Sequence, residues 1–364
     1  MSRLNVGSIG GLPENNNVVS IDSGHSLKMS SGATGDRPTS PTPGTMWFNT
    51  TTGEPEWYSG DAQGWVSFRN SPQMAIQYLV VGGGGGGGFD GGGGGGAGGY
   101  RSSVTDEASG GGNTAETPLT VSFGTSYTVT VGAGGTAATS ASGGQTVGGD
   151  SVFGSITSLG GGWGANGIPG GPGPTGQAGG SGGGGAGRTA GVTHAGGAGT
   201  ANQGYAGGSG IHISGQTSNG GGGGGASEVG ANMVWTGSNP TPGGDGGDGV
   251  SSNIDGTPTY RAGGGGGGAN NDAGNTGAGG TGGLGGGGNG VRSGTAGPGT
   301  ANTGGGGGGG YRISGAGAAG GSGVVILRFT GKTPSISAGL TYTSSTVGND
   351  TVLSFTAGTG TVTW

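Results

Sequence analysis

The residues of this 364-residue chain whose types and spacing could do chemistry are acidic side chains one to three positions apart. The pairs are Glu54 with Glu56, Asp106 with Glu107, and Asp245 with Asp248. Two carboxylates flanking a glycosidic bond are the machinery of glycan hydrolysis. These pairs are close only in sequence, and a solvated surface pair is the ordinary interpretation of each. We therefore expect a protein that is not an enzyme.

Residues 243–251, Gly-Gly-Asp-Gly-Gly-Asp-Gly-Val-Ser, match one calcium-binding nonapeptide repeat. Such repeats act in tandem, and no second copy adjoins this one. A chance match in a glycine-rich chain is the favoured interpretation, and a calcium ion held by Asp245 and Asp248 is the alternative. The histidines His25, His194 and His212 are isolated and lack the spacing of metal ligands. We expect no metal and no cofactor.

Runs of glycine organise the rest of the chain. Glycine supplies 113 residues, concentrated in tracts at 82–88, 91–96, 182–185, 220–225, 263–268, 285–288 and 304–310. The structural glycines that bound these tracts are Gly82, Gly88, Gly91, Gly96, Gly182, Gly220, Gly225, Gly263, Gly268, Gly285, Gly304 and Gly310. Each six- or seven-residue tract would span about 19–22 Å as a threefold extended helix. Tracts of matched length bracketed by apolar strands, 76–81 and 324–329, favour an ordered bundle over a flexible linker.

Energetics indicate how such tracts could be ordered. Fixing six glycine backbones costs on the order of 6–12 kcal/mol, whereas each main-chain hydrogen bond returns a net of about 1 kcal/mol. One tract alone stays unfolded, but many tracts packed side by side can bond to one another. Collagen is excluded because the glycines are consecutive and only 15 prolines occur. We predict a polyglycine-II lattice, with Ala97, Ala186 and Ala226 on its outer faces or at tract ends.

Composition excludes several classes of function. Charged residues form 8% of the chain, and 11 Lys and Arg against 17 Asp and Glu leave a net charge of −6 without a basic run. Nucleic-acid binding needs clustered basic residues, so we expect none. Cysteine is absent, and no apolar run approaches the roughly 20 residues that span a bilayer. We expect a soluble protein without membrane insertion, synthesised in a cytoplasm.

The predicted fold class is all-β with a polyglycine-II bundle and no long α-helix. Residues 1–72 are predicted to form a small antiparallel β module, with strands at 18–22, 26–29, 45–49, 56–58 and 64–68 and a core of Trp47, Trp57 and Trp65. Residues 73–330 form the glycine-rich sandwich, which includes a hairpin over 117–131 and a strand at 150–156. Residues 331–364 form a β-like C-terminal segment.

Binding residues are expected in the segments that join the tracts, because loops on a rigid scaffold are where recognition concentrates. Segments 188–219 and 227–262 and shorter connectors carry the candidates, and aromatic residues are typical binding anchors. Capping of the lattice ends is the alternative role for Tyr205 and Trp235. The candidate receptor-binding residues are His194, Tyr205, His212, Met233, Trp235, Tyr260, Asn270 and Asn271.

The chain resembles the glycine-rich domain of bacteriophage tail fibre proteins. The likeness lies in Gln77–Val81 with the glycines that follow and Ala97–Arg101, in 127–135 and 148–153, and in Gly321–Arg328. Asp36–Pro41 with Gly44–Trp57 is similar to short β modules of phage virion proteins, and a looser resemblance extends to the fibre-tip adhesins of T-even phages.

The resemblance implies a virion protein, most simply a tail fibre or adhesin subunit. It would bind a host glycan or outer-membrane protein through the loops, attach to other virion proteins through residues 1–72, and form a homotrimer. A non-adhesive fibre or capsid decoration protein is the alternative.

Overall fold

The computed structural model describes residues 29–60, 64–68, 73–140, 142–167, 175–187, 191–213, 217–235, 242–271 and 277–364. The chain divides into two units, residues 1–72 and 73–364. The strands expected at 18–22 and 26–29 lie, apart from Met29, outside the described residues. The structure is all-β, as predicted, and the described ranges contain no α-helix.

The first unit is a four-stranded sheet in the order β1-β2-β3-β4. Its strands are β1 (Ser31–Gly32), β2 (Met46–Asn49), β3 (Glu54–Tyr58) and β4 (Trp65–Ser67), with a 3₁₀ turn at Thr34–Asp36. Strands β2, β3 and β4 pair antiparallel, whereas β1 adds to β2 in parallel. The three predicted aromatic strands are therefore present, together with a short fourth strand that the sequence did not reveal.

A polar network occupies the protected face of this sheet. It takes part of the space in which the sequence predicted a core of three tryptophans. Glu56 is 4% exposed and accepts hydrogen bonds from Arg37 Nε (2.9 Å) and Nη2 (2.7 Å) and from Asn49 Nδ2 (3.0 Å). Trp47 is buried as predicted. Trp57 and Trp65 are only half-buried, and the Arg37 guanidinium lies 6.0 Å from the centre of the Trp65 ring. The prediction of a three-tryptophan core is correct for Trp47 alone.

The second unit contains a ten-stranded sheet in the order β10-β9-β8-β19-β16-β5-β6, with β7 paired to β5 and β17 and β18 paired to β19. A three-stranded sheet, β11-β12-β13, and a hairpin, β14-β15, lie outside it. Its strands, and a 3₁₀ turn at Gly110–Gly112, have the following bounds: β5 (Gln73–Val81), β6 (Tyr100–Ser102), β7 (Leu119–Ser122), β8 (Ser126–Thr130), β9 (Ser151–Phe153), β10 (Ile156–Ser158), β11 (Thr193–His194), β12 (Gly210–Ile213), β13 (Thr217–Asn219), β14 (Val250–Ser252), β15 (Thr259–Arg261), β16 (Val324–Phe329), β17 (Ser335–Ile336), β18 (Leu340–Val347) and β19 (Asp350–Thr363).

The hairpin predicted over 117–131 is wrong in its pairing, although both strands exist. β7 pairs with the first half of β5, and β8 pairs with β9 and β19. Strand β19 makes this possible because its first half pairs with β16 and its second half with β8. Gly358, with φ of 96°, lies between the two halves. The alternating pattern identified each strand but not its partner.

Residues 331–364 belong to the second unit rather than forming a separate segment. Strand β19 lies in the middle of the large sheet, between β16 and β8. Trp364 is 2% exposed and stacks edge-on against Phe329, with ring centres 5.7 Å apart. Pairing with β16 and packing in the shared core therefore join this segment to the glycine-rich region.

The central strands β5 and β16 of the large sheet are buried on both faces. Alternate residues of a strand point to opposite sides, and the two sets of side chains enter different apolar clusters. Tyr78 and Val80 belong to one apolar cluster, which also contains Phe153, Phe355 and Trp364. Leu79 and Val81 belong to a second cluster, which contains residues of the glycine-rich region such as Ala97, Ala226 and Ile254. The second cluster joins the sheet to the glycine-rich region.

Candidate binding surface at the far end of the glycine lattice

The glycine tracts bond to one another with a period of three residues. Amide groups of Gly82, Gly85 and Gly88 donate to the returning segment 93–99, those of Gly83 and Gly86 to segment 146–149, and those of Gly84 and Gly87 to segment 318–321. A threefold extended helix points successive amides in three directions about 120° apart. The hydrogen bonds therefore have the pattern of packed polyglycine-II helices, which we call rods.

Residues 91–99 form the central rod, which has six neighbours. Its amides donate to segments 304–310, 159–165 and 221–224, and its carbonyl groups accept from segments 82–88, 181–184 and 265–268. Six hydrogen-bonded neighbours around one rod define a hexagonal lattice. Residues outside the seven predicted tracts, such as Leu159 to Ala165, also form rods.

Rods run alternately away from and toward the large sheet. Segment 82–88 leaves β5, and segment 91–99 returns to β6. The lattice therefore has a sheet end and a far end. We define the far end by the described residues around the outer turns: 89–90, 166–167, 187, 193–194, 211–213, 217–219, 233–235, 269–271, 291–294 and 311–315.

Alanines lie at the ends of three rods. This is one of the two placements that the sequence predicted for them, the other being the outer faces of the lattice. Ala97, Ala186 and Ala226 follow glycine tracts and are fully buried. Ala97 and Ala226 pack in the second apolar cluster, beside Leu79 and Val81. The placement on outer faces is wrong, since these methyl groups fill the junction between rods and the layers that cover them.

Six of the eight candidate receptor-binding residues lie at the far end. His194 pairs with Gly210 across β11 and β12, and His212 lies on β12. The amide of Met233 donates to Ser209 O (2.8 Å), next to the start of β12, and Trp235 follows two residues later. The amide of Asn270 donates to Asn219 Oδ1 (2.7 Å), and Asn271 comes next. Sequence segments far apart therefore meet at one end of the lattice.

The other two candidates, Tyr205 and Tyr260, lie at the sheet end. The amide of Tyr205 donates to Gly225 O (3.0 Å), one residue before Ala226. Tyr260 is on β15, in the hairpin whose Val250 packs in the second apolar cluster, and it is 50% exposed. They differ from the other six because the direction of each rod alternates, and this sets the end at which a loop emerges.

Burial divides the six far-end candidates into supporting and accessible groups. Met233 and Asn270 are buried, at 6% and 1% exposure. His194, His212, Trp235 and Asn271 are half-buried. Nη1 of Arg312 lies 3.2 Å from Nε2 of His212, which joins the turn at 311–315 to strand β12.

The structure adds Ile313, which sequence reasoning missed, and Val234, which lies in a predicted binding segment but is not among the eight candidates. Val234 and Ile313 are 65% and 58% exposed, which is unusual for large aliphatic side chains. Ile313 also has φ of 67°, an uncommon conformation for a β-branched residue. Its amide donates to Asp90 Oδ1 (2.8 Å), which holds the turn in place. The sequence did offer one signal for Val234, because it directly precedes Trp235 in a segment that joins two rods.

Asp245 and Asp248 bond to a neighbouring rod. Asp245 Oδ1 accepts from Thr281 N (2.6 Å) and Thr281 Oγ1 (2.8 Å), and Asp248 Oδ1 accepts from Leu284 N (2.7 Å). On a threefold helix residues three apart lie on one side, roughly 9 Å apart along the axis. Within the described ranges no three His, Cys, Asp or Glu side chains form a group that could hold a metal ion.

The other two acidic pairs also have structural partners. Glu56 binds Arg37, and Glu54 accepts a hydrogen bond from the Ser67 hydroxyl group. Glu107 Oε1 accepts from the amide of Asn253 (2.7 Å). In the part of the chain that the structure describes, no helix has the length and apolar character needed to cross a bilayer.

The fold and lattice define an all-β protein built around packed glycine rods. Comparison with protein families agrees, because the family described as glycine-rich domain matches residues 61–330. This match covers more than half of the chain, and the chain therefore belongs to the glycine-rich domain family. No curated protein and no solved structure matches the chain.

Proposed function

We propose that this protein is a bacteriophage virion protein, a tail fibre or adhesin subunit that binds the host cell surface through the far end of its lattice. The observation that carries the proposal is the gathering of six candidate residues, from four separate segments, at one end of a rigid scaffold. The resemblance to phage fibre domains supplies the biological setting.

Rigidity favours this use of the far end. The central rod is held by main-chain bonds from six neighbouring segments, so the described residues at the rod ends are positioned before any partner arrives. Pre-organised residues lose little conformational entropy on binding. Exposed Val234 and Ile313 and half-buried Trp235 offer apolar contact area beside the polar side chains. The receptor class in this proposal is a host glycan or an outer-membrane protein.

Residues 1–72 are assigned the attachment to other virion proteins or the positioning of the subunit in a homotrimer. One face of their sheet carries Met46, Phe48, Pro55, Trp57, Val66 and Phe68, as the strand register shows. Met46 and Phe68 are 43% and 54% exposed. An exposed apolar face is typical of a protein–protein contact, and it supports this assignment.

The proposal includes neither catalysis nor a cofactor, and it includes neither nucleic-acid binding nor membrane insertion. The acidic pairs bind neighbouring groups of the fold, as expected of structural side chains. The protein would be synthesised in the host cytoplasm and would act on the virion, on a tail fibre rather than the capsid surface.

Binding of the purified, fluorescently labelled protein to intact bacteria tests the proposal. The test variant is Trp235→Ala at the far end, and the matched control is Tyr260→Ala, an exposed aromatic residue at the sheet end. We expect saturable binding to susceptible cells and a loss of about 30-fold or more in affinity for Trp235→Ala, as for an interface anchor. Tyr260→Ala should bind like the unmodified protein.

Equal binding by both variants would contradict a contact at the far end. Absence of binding from a folded sample, across a panel of candidate hosts, would favour the second function, a non-adhesive fibre or capsid decoration protein. Copy number on the particle would then separate these two locations, because a decoration protein is present at the capsid copy number.

A further inference from the structure

The arginines of the second unit are distributed unevenly. At the sheet end Arg101 pairs with Glu116 (2.5 Å), Arg261 with Asp255 (2.8 Å) and Arg328 with Asp350 (2.7 Å). The two arginines described at the far end, Arg292 and Arg312, form no ion pair with a described carboxylate. In a chain whose net charge is −6, the described arginines of the second unit that lack a carboxylate partner therefore both lie at the far end.

Main-chain bonds bring Arg292 and Arg312 to the two sides of one rod end. The amide of Ala269 donates to Val291 O (2.9 Å), and the amide of Arg312 donates to Ala269 O (3.0 Å). Val291 N also donates to Gly309 O (3.2 Å), which links the two arginine-bearing rods directly. The side chains of both arginines are half-buried. The backbones next to Arg292 and at Arg312 therefore flank Ala269, one residue before Asn270.

Hydrogen-bonding capacity at this rod end is incomplete. Arg292 Nε is buried, and no described residue provides it with a hydrogen-bond acceptor. A buried donor without a partner is destabilising, and more so when it is charged. A ligand that brings an acceptor would remove this cost. The buried Asn271 Oδ1 also has no donor, and a sugar hydroxyl group could supply one.

Arg312 has donors left over after its contact with His212. The guanidinium carries five N–H donors and no acceptor, so in the 3.2 Å contact Arg312 donates and His212 Nε2 accepts. Asp90 is the nearby carboxylate, and its Oδ1 accepts from the Ile313 amide instead of binding Arg312. The contact with His212 and the turn at 311–315 thus position the Arg312 guanidinium. No described carboxylate forms an ion pair with it.

We propose that the far end binds an anionic group, a carboxylate or a phosphate, carried by a surface glycan, with Arg292 and Arg312 as the contacting residues. Guanidinium groups match both anions with two parallel hydrogen bonds. The inference rests on the proposed function for its biological setting and adds the charge of the receptor. Carboxylate and phosphate share the chemistry on which it depends.

Calorimetric titration of the full chain with three oligosaccharides tests the proposal: polygalacturonate for carboxylate, phosphorylated mannan for phosphate, and dextran as the neutral control. The variants are Arg292→Gln and Arg312→Gln. Arg312→Lys keeps the charge without the planar fork, and Lys332→Gln removes one positive charge from the sheet end. Thermal unfolding of each variant establishes that it is folded.

We expect one or both anionic oligosaccharides to bind and dextran to fail. Each glutamine variant at the far end should weaken binding roughly tenfold or more, Arg312→Lys should recover part of the loss, and Lys332→Gln should be neutral. High salt should weaken binding. The arm that binds identifies the anion.

Binding of neither anionic oligosaccharide, or unchanged binding by both glutamine variants, would overturn the inference. Binding to intact bacteria distinguishes failure of the anionic-receptor inference from failure of the adhesin proposal. If Arg292→Gln and Arg312→Gln attach to bacteria normally while Trp235→Ala does not, the adhesin proposal stands and the anionic receptor falls.

Discussion

Gly95 lies in the middle of the central rod, where a Cβ atom would be 2.1 Å from Gly85 O and 3.1 Å from Gly307 N. Real Cβ atoms do not approach backbone oxygen so closely, and the neighbouring rods are held by their own hydrogen bonds. Glycine is needed here for the close approach of main chains. This crowding explains why consecutive glycines, rather than alternating ones, fill the centre of the lattice.

We predict that Gly95→Ala lowers the free energy of unfolding by about 1–3 kcal/mol or more, as overpacking of a close-packed interior does. Gly149→Ala is the matched control, because Gly149 lies on a partly exposed rod and its nearest contact would be Ala133 N at 3.0 Å. Chemical denaturation measures both. Equal stability of the two variants would show that the lattice is looser than the hydrogen bonds indicate.

Arg37 and Glu56 give the first unit a predictable pH dependence. Burial raises the pKa of Glu56, but hydrogen bonds from Arg37 and Asn49 and the Arg37 charge outweigh it and hold the pKa below its ordinary value of 4.5. A carboxyl group with a lowered pKa in the folded state stabilises the fold above its unfolded pKa. This contribution is lost as the pH falls through the folded pKa.

We predict that the backbone amides of the β2–β3 region lose protection against hydrogen exchange as the pH falls below about 4.5. Arg37→Ala should leave Glu56 buried without its cation, cost about 1–3 kcal/mol near neutral pH, and reverse the slope, so that mild acid stabilises the variant. Hydrogen exchange of peptides within 46–58 measures this. Lys332→Ala, a charge removal in the other unit, should change nothing there, and a slope of unchanged sign in Arg37→Ala would refute the account.

At the scale of elements, Trp364 joins strand β19 to the rest of the large sheet. Its ring contacts those of Tyr127, Phe153 and Phe329 edge-on, with centres 6.0, 6.2 and 5.7 Å apart. Aromatic pairs in this geometry stabilise beyond the area they bury. Strands β8, β9 and β16 therefore each pack an aromatic ring against the Trp364 side chain.

We predict that Trp364→Ala lowers the free energy of unfolding by about 3–5 kcal/mol, the cost of removing a large buried aromatic residue. Tyr260→Ala, which removes a half-exposed ring from β15, should cost less than about 1 kcal/mol. Equilibrium denaturation followed by far-ultraviolet circular dichroism compares them. A small effect for Trp364→Ala would mean that the sheet does not depend on this core.

The sequence predicted the elements better than their partners. Runs such as 76–81 and 324–329 are apolar on both sides, and both became central strands with two buried faces. The alternation at 119–131 could not tell that β7 would pair with β5 and β8 with β19, because the partners are distant in sequence. Strand β5 lies about 45 positions before β7, and β19 lies more than 200 positions after β8. The rod at 159–165 was not predicted because its sequence is not a continuous glycine run. It contains Trp163 at a partly exposed position, where a side chain fits.

The same limit applied to the candidate site. Residues joining glycine tracts were recognisable, but the end of the lattice at which each one emerges depends on the number of chain reversals before it. Unrecognised rods change that count, which is why Tyr205 and Tyr260 came to lie at the sheet end. Arg292 and Arg312 were indistinguishable from other isolated cations until the rods placed them on either side of Ala269.

At the scale of the whole molecule, the second unit has a polarity. One end carries the large sheet and three arginines paired with carboxylates. The other carries Arg292 and Arg312, which have no partner among the described carboxylates, together with the exposed Val234 and Ile313. A lattice whose interior is only main chain leaves its outer turns free to vary without loss of packing. This separation of scaffold and surface is the physical basis of the proposed adhesive role.

The rate at which virions adsorb to host cells is the decisive measurement of contact at the far end, made with particles that carry the unmodified protein, Trp235→Ala or Tyr260→Ala. We predict that, at equal incorporation into particles, adsorption is slower by roughly tenfold or more for the far-end variant and normal for the sheet-end variant. Equal adsorption by all three would contradict the claim that the far end contacts the host.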